Sequence, residues 1–228
     1  MIKRNLLMMA LFIAVSACSS TIESYKQTLR IALVPAADVE VSLADLRERT
    51  VPLLYLRPND RGRAALALVA ATEGVAQWIS ADNRIVELTH GRISKLQGFK
   101  PHLDFIQFST PDPLSLPVAK IHAGLTSRSI QDWSSSHLNS YVIEHEVIAK
   151  SPTTLTFFEQ QFAMVLVQER VTFPDGSSFN NQFWFDAHSG QLVQSIQKPS
   201  HFSAQFELIE ISKISQQIQV TPTAGPQA

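Results

Sequence analysis

From residue 53 onward the chain is cut into short apolar or alternating runs by turn-forming residues, and this punctuation constrains the fold more than any other feature. Residues 53–57, 64–72, 75–80 and 84–89 are separated by Asn59-Asp60-Arg61-Gly62, Glu73-Gly74 and Ala81-Asp82-Asn83. The same texture returns at 140–149, 155–159, 162–173, 179–186, 192–197 and 205–212, with Pro174-Asp175-Gly176-Ser177 and Asp186-Ala187-His188-Ser189-Gly190 as hairpin turns. Strand-length runs bounded by Gly, Asn, Asp and Pro build a meander of antiparallel hairpins.

Helical spacing is confined to the N-terminal part. Ile22, Tyr25, Leu29 and Leu33 recur at helical intervals before Pro35, and Ser42-Leu43-Ala44-Asp45 offers an N-cap and an acidic first turn for a second short helix before Pro52. The stretch 98–136 holds Pro101, Pro111, Pro113 and Pro117 with little periodicity, and reads as loop that covers an edge or an opening. The expectation is an all-β dominated fold: one antiparallel sheet domain over residues 21–215, an open barrel or a sandwich, with one or two short N-terminal helices packed on it. Residues 216–228, with Pro222, Gly225 and Pro226, read as a flexible tail. An internal echo links Trp78-Ile79-Ser80-Ala81-Asp82 and Gly91-Arg92 with Trp184-Phe185-Asp186-Ala187-His188 and Gly190-Gln191, a similarity that a duplication or two unrelated hairpins would both produce.

The first residues follow a different logic. Lys3 and Arg4 precede an apolar run from Leu6 to Ala14, followed by Val15-Ser16-Ala17-Cys18. The run is too short for a permanent membrane helix, which needs roughly 20 residues, and has the layout of a signal peptide. Val15-Ser16-Ala17-Cys18 resembles the lipobox of bacterial lipoproteins, so residues 1–17 are expected to be removed, Cys18 to be lipidated and 18–20 to act as a tether. Several acyl chains on one residue make such an anchor effectively permanent. By analogy with sorting signals, Ser19 and Ser20 favour the outer membrane. Loss of Lys3 and Arg4 leaves 17 basic against 20 acidic side chains, formally −3.

That mild acidity gives no electrostatic footprint for nucleic acid. A single Cys in 228 residues excludes an intramolecular disulfide and a Cys-based zinc site. The seven His residues show no short metal-ligand spacing, and no glycine-rich phosphate cradle or Gly-x-Ser-x-Gly elbow occurs, so neither metal nor cofactor is expected. Glu144-His145-Glu146 is the densest titratable cluster. On a strand His145 faces away from the two carboxylates, which could flank a sugar as acid and base or form a solvated face. Phe179, Phe183 and Phe185 share one strand face while Trp184 takes the other; the aromatics fit a sheet core, or else a cavity for a lipid, a glycan ring or a partner. Trp78, Trp133 and Trp184 are the first candidates for stacking on sugar.

Two signatures carry a family resemblance. One is Trp78-Ile79-Ser80-Ala81-Asp82 through His90-Gly91-Arg92-Ile93, then Leu96-Gln97-Gly98-Phe99 and Leu103. The other is Phe183-Trp184-Phe185-Asp186 with Ser189-Gly190-Gln191-Leu192 and Ser195-Ile196-Gln197. With the lipobox, their order and spacing resemble the YjbF/GfcB family of group 4 capsule and exopolysaccharide lipoproteins. Two features depart from it: Phe99-Lys100-Pro101 after Gly98, and a long loop around Asp112-Pro113. The resemblance implies an outer-membrane-anchored periplasmic β protein, working with polysaccharide export components and with no established enzymatic activity. On physical grounds Gly91 and Gly98 fit bends or bulges, Arg92 can grip loop carbonyls or a carboxylate, and Trp78 and Trp184 pack the sheet. The candidate contact or structural residues are therefore Trp78, Gly91, Arg92, Gly98, Trp133, Trp184, Asp186 and Gly190. The leading expectation is a non-enzymatic accessory factor in capsule or exopolysaccharide secretion, with protein partners of an export system and polysaccharide as candidate ligands. The alternatives are a lipid or lipoprotein carrier with an apolar cavity in a β half-barrel, and a glycan hydrolase using Glu144, Glu146 or Asp186.

Overall fold

Leu54 and Leu56 point to one side of their strand and Leu53 and Tyr55 to the other, and both pairs are buried. A strand that is apolar on both faces needs cover on both, and the fold supplies it. A computed structural model describes residues 38–59, 61–134 and 138–220; Cys18, the signal segment and the helical pattern at 22–33 lie outside the described residues. Among the described residues the chain forms β1 (Leu53–Pro58), β2 (Ala64–Thr72), β3 (Val75–Ser80), β4 (Ile85–Thr89), β5 (Arg92–Gln97), β6 (Phe105–Phe108), β7 (Thr126–Trp133), β8 (Leu138–Phe157), β9 (Gln160–Thr172), β10 (Ser178–Asp186), β11 (Leu192–Gln197) and β12 (Phe206–Ile209), with helices α1 (Leu43–Glu48) and α2 (Ile211–Val220).

All twelve strands belong to one sheet in the order β5-β4-β3-β2-β1-β12-β11-β10-β9-β8-β7-β6, and every pairing is antiparallel. Apart from β5 and β6, each strand thus pairs with its neighbours in sequence, and β1 pairs with β12 through Tyr55–Ile209 and Leu56–Leu208. The order is cyclic with one break, between β5 and β6. There a single bridge, the Leu96 N–H on the Leu103 carbonyl at 2.9 Å, holds the edges together. The result is a nearly closed up-and-down barrel, so of the expected open barrel and sandwich it is the barrel that forms, with only the β5–β6 edge open.

The inner face confirms the curl. Leu54, Leu66, Trp78, Val86 and Ile93 from one end of the strand order meet Trp133, Ile143 and Val171 from the other in one cluster, which a flat sheet cannot arrange. Leu114 and Ile121, from the segment after β6, pack on Val147, Val167, Phe183 and Phe185 as a further part of the core. Outside, Leu46 of α1 and Ile211, Ile214 and Ile218 of α2 cover Leu53, Tyr55, Met164 and Trp184. Ser42 caps α1: its hydroxyl accepts the Asp45 N–H at 3.1 Å and donates to the Asp45 carboxylate at 2.7 Å. The opposite outer face, over β7–β9, carries Arg128, Glu144, Glu146 and Arg170, so it faces water, since a lipid-facing strand would place apolar residues there.

Six elements differ from the sequence expectation. β6 and β7 lie inside the stretch read as loop. The inward residues of β7 include Ser127, Ser129 and Gln131, so the apolar alternation that signals a strand is missing. β5 was not resolved as a run of its own, because its inward side begins with Arg92. β8 is a single strand through Pro152, where two runs are suggested; β7 ends its pairing opposite Glu146 while β9 continues, which leaves Pro152 on a free edge that tolerates a residue without an N–H. Finally, the strand expected at 205–212 stops at Ile209, and α2 takes over residues that include 216–220 of the expected tail. Ile211, Ile214 and Ile218 recur at helical spacing and are buried. The two Trp-containing hairpins are not copies: Trp78 points into the barrel and Trp184 out of it, under the helices.

Candidate functional site

The most concentrated chemistry in the molecule sits inside the barrel, around Arg92. Its guanidinium is 4% exposed and donates in two bidentate pairs: Nε and Nη2 to Asp112 at 2.6 and 2.8 Å, and Nη1 and Nη2 to Glu169 at 2.9 and 2.7 Å. The rings of Phe108 and Phe183 lie 5.2 and 5.6 Å from its carbon. Asn181 donates to Glu169 at 3.0 Å and accepts the Lys198 N–H at 2.9 Å. Burial pushes the Glu169 carboxyl up, but the Arg92 charge and its hydrogen bonds, with His145 beside it, outweigh this and hold it well below the usual carboxylate range. The same two carboxylates overcome desolvation and keep Arg92 firmly charged.

Each member is delivered by a different element. Arg92 opens β5, where the two-residue turn His90-Gly91 has positive φ at both positions, 49° and 83°, the backbone of a type I′ hairpin. Glu169 is an inward residue of β9 and His145 of β8. Asp112 caps the short turn Pro113–Ser115, its Oδ1 accepting the Leu114 N–H at 3.0 Å. The loop at Asp112-Pro113 is therefore the element that returns a carboxylate to Arg92.

The cluster also holds Ser129, His145 and Glu169 in the sequence nucleophile, base, orienting acid. Ser129 Oγ lies 2.8 Å from His145 Nε2, and His145 Nδ1 lies 3.4 Å from Glu169 Oε2. The residue types match a hydrolytic triad, but the site does not admit a substrate. Ser129 is 0% exposed, the space beside Arg92, His145 and Asn181 is about 10 Å³, room for one water at most, and the acid is shared with Arg92 and Asn181. In this conformation the arrangement holds the barrel together. Sequence reasoning did not connect these residues, since they are spread over five strands; the signal available was the run of polar side chains at inward positions of β7.

Filling of the interior also corrects the carrier alternative. Trp133, Phe183, Leu66 and Ile143, all fully buried, occupy the space inside the barrel that an acyl chain would need. The three Trp residues are buried, so none presents a ring face to a sugar: Trp78 and Trp133 lie inside, with Trp133 Nε1 donating to Gln131 at 2.9 Å, and Trp184 lies beneath α2. Glu144 and Glu146 are exposed, and each is paired with an arginine, Arg128 at 2.7 Å and Arg170 at 3.2 Å.

A family model described as group 4 capsule polysaccharide lipoprotein gfcB, YjbF matches residues 26–213. The chain belongs to the YjbF family. Its curated relatives include the uncharacterized lipoprotein GfcB of Escherichia coli (strain K12), 26% identical over 190 residues that cover 82% of this chain and 87% of GfcB. The uncharacterized lipoprotein YjbF of the same organism is 23% identical, over 86% of this chain and 93% of YjbF. Among solved structures, the hypothetical lipoprotein YmcC from Escherichia coli (K12) superposes with a TM-score of 0.65 at 23% identity, covering 74% of this chain and 87% of YmcC; this likeness speaks for the fold.

The YjbF-family signatures can now be placed. Gly91 meets β11 so closely that a Cβ would stand 2.1 Å from Leu192 Cδ2. Gln197, which closes the second signature, reaches across the barrel: its Nε2 donates to the Gly91 carbonyl at 2.7 Å and its Oε1 accepts the Ile93 N–H at 3.0 Å. The two signatures are thus joined at the start of β5, next to Arg92. Gly98 ends β5 at φ 81°, against Arg84. Asp186 and Gly190 form the β10–β11 turn, where Asp186 Oδ1 accepts the Ser189 N–H at 2.6 Å and the Gly190 N–H donates to the Asp186 carbonyl at 2.9 Å.

Proposed function

We propose that this chain is a lipid-anchored accessory factor in capsule or exopolysaccharide secretion, held at the periplasmic face of the outer membrane through acylated Cys18. It works by binding and positioning rather than by catalysis. The match of the group 4 capsule polysaccharide lipoprotein family across residues 26–213 carries this reading, and the lipobox pattern at Cys18 supports the anchor. The buried chemistry agrees with a binding role, because the charges of Arg92, Asp112 and Glu169 are spent on one another and Ser129 is closed off. Its partners in this reading are protein components of a polysaccharide export system, with polysaccharide as a ligand.

Deleting the gene tests it. Surface and released polysaccharide fall while the intracellular precursor pool is preserved. A copy carrying Cys18→Ser, which cannot be acylated, does not restore output, and mass spectrometry of the mature wild-type chain finds the acyl groups on Cys18. Unchanged polysaccharide in the deletion strain refutes the proposal; an unmodified Cys18 refutes the anchor.

A further inference from the structure

The outer surface carries a second feature that the Arg92 cluster does not touch. The β8–β9 hairpin, the β10–β11 turn and α2 enclose a cleft of about 700 Å³, within the size range of small-ligand sites. The hairpin contributes Gln160, Gln161 and Phe162, the turn Asp186 and Gln191, and the helix Gln216. With Gln217 of the helix this makes five uncharged amides, set beside one carboxylate, one phenyl ring, the exposed imidazole of His188 and Lys213.

Its central group is held in place. Asp186 is only 8% exposed, and the turn around it is tied by the Asp186 N–H to the Gln191 carbonyl at 2.8 Å and by the Ala187 N–H to the Ala163 carbonyl at 3.0 Å. Ser189 takes Oδ1, and among the described residues the side chain makes no other hydrogen bond, so Oδ2 remains available as an acceptor. Phe162 packs on Phe157 with centroids 5.9 Å apart and is partly exposed at the cleft. Lys213, the cation in the lining, is engaged by Glu210 at 2.8 Å and by the Leu192 carbonyl at 3.0 Å.

These groups define a ligand by its chemistry. A glutamine amide offers donors and an acceptor in one plane, which suits adjacent hydroxyls that both donate and accept. A fixed carboxylate accepts two hydroxyl protons, and an aromatic face covers the C–H side of a pyranose. A phosphate or uronate would meet the fixed Asp186 carboxylate while Lys213 is already engaged by Glu210, and an acyl chain would leave the amides unpaired. We propose that this cleft binds neutral sugar units of a polysaccharide chain. The inference rests on the accessory role proposed above and assigns it a ligand-binding surface.

The test uses the full mature lipoprotein in detergent and, as probe, size-fractionated oligosaccharides from partial hydrolysis of the strain's own exopolysaccharide, with binding read by calorimetry. Wild type binds at least one size fraction. The double substitution Gln161→Ala, Gln216→Ala, at two exposed positions, weakens binding about tenfold with an unchanged melting midpoint. Asp186→Asn, which keeps an acceptor for the Ser189 N–H, also weakens it. No binding by wild type, or equal binding by both variants, overturns the cleft. The double variant is also returned to the deletion strain. If deletion lowers polysaccharide output and this variant restores it fully, the cleft assignment fails and the accessory role stands; if deletion changes nothing, the accessory role itself fails.

Discussion

Asp112 grips Arg92 with both carboxylate oxygens, at 2.6 and 2.8 Å, from twenty residues further along the chain. This contact spans the one place where the barrel lacks a ladder. β5 and β6 are joined there by a single Leu96–Leu103 bridge, and Arg92 opens β5 while Asp112 follows β6. Glu169 anchors the same guanidinium to β9, on the far side of β7 and β8. A buried charged clasp therefore does the work that backbone hydrogen bonds do elsewhere in the sheet.

Removing the cation leaves two buried carboxylates uncompensated. Arg92→Met should lower stability by about 3–5 kcal/mol, read from urea unfolding at pH 7. Arg92→Lys recovers only part of the loss, since an ammonium cannot serve two carboxylates bidentately. A loss below about 1 kcal/mol for the Met variant would mean that the clasp contributes little beyond packing.

Glu169 predicts the response to acid. Its folded pKa lies below the unfolded one, near 4.5, so its contribution is complete above that value and is lost as pH falls from there toward the folded pKa. Unfolding midpoints measured from pH 7 down to pH 3 should decline below about pH 5. Glu169→Gln should be less stable at neutral pH and show a shallower decline. Parallel curves for the two proteins would remove Glu169 from the account.

Gly91 and Leu192 should be energetically coupled. Gly91→Ala places a side chain at φ 83° and 2.1 Å from Leu192 Cδ2, with an expected cost of about 2 kcal/mol or more. In a Leu192→Ala background the steric part disappears and the backbone part stays, so the double-mutant cycle should return an interaction of about 1 kcal/mol. Strict additivity would contradict the close approach.

Glu144→Gln and Glu146→Gln should each change stability by less than about 1 kcal/mol, because both carboxylates sit in exposed ion pairs. Each variant should restore polysaccharide output to a deletion strain. Loss of output in either one, with the fold intact, would return these carboxylates to consideration as an acid–base pair.

Much of the sheet was legible in the chain because a half-buried strand prints its two faces as alternation. The residues of β3, β4 and β11 show this, β1 stood out as a short apolar run between turn residues, and Ser42 with Asp45 marked the start of α1. Alternation fails where the inner face is itself polar. β7 carries Ser127, Ser129 and Gln131 inward within a proline-punctuated stretch, and β5 starts with the buried polar Arg92, so neither shows as an apolar alternating run. Asp112 looked like loop because nothing local distinguishes a carboxylate that caps a turn from one that also holds a buried arginine.

Sequence alone determined the antiparallel hairpin architecture, the cap of α1, the expected anchor at Cys18 and the family signatures, all of which depend on neighbours within a few residues. Only the tertiary structure decided that the sheet closes through β1 and β12, that Trp78 and Trp184 face opposite ways, and that Ser129, His145, Glu169, Asp112 and Arg92 meet. The cause is distance along the chain. Arg92 and Glu169 are 77 residues apart, and their attraction has no local imprint; it exists only once the barrel has removed both from water and left each as the other's partner.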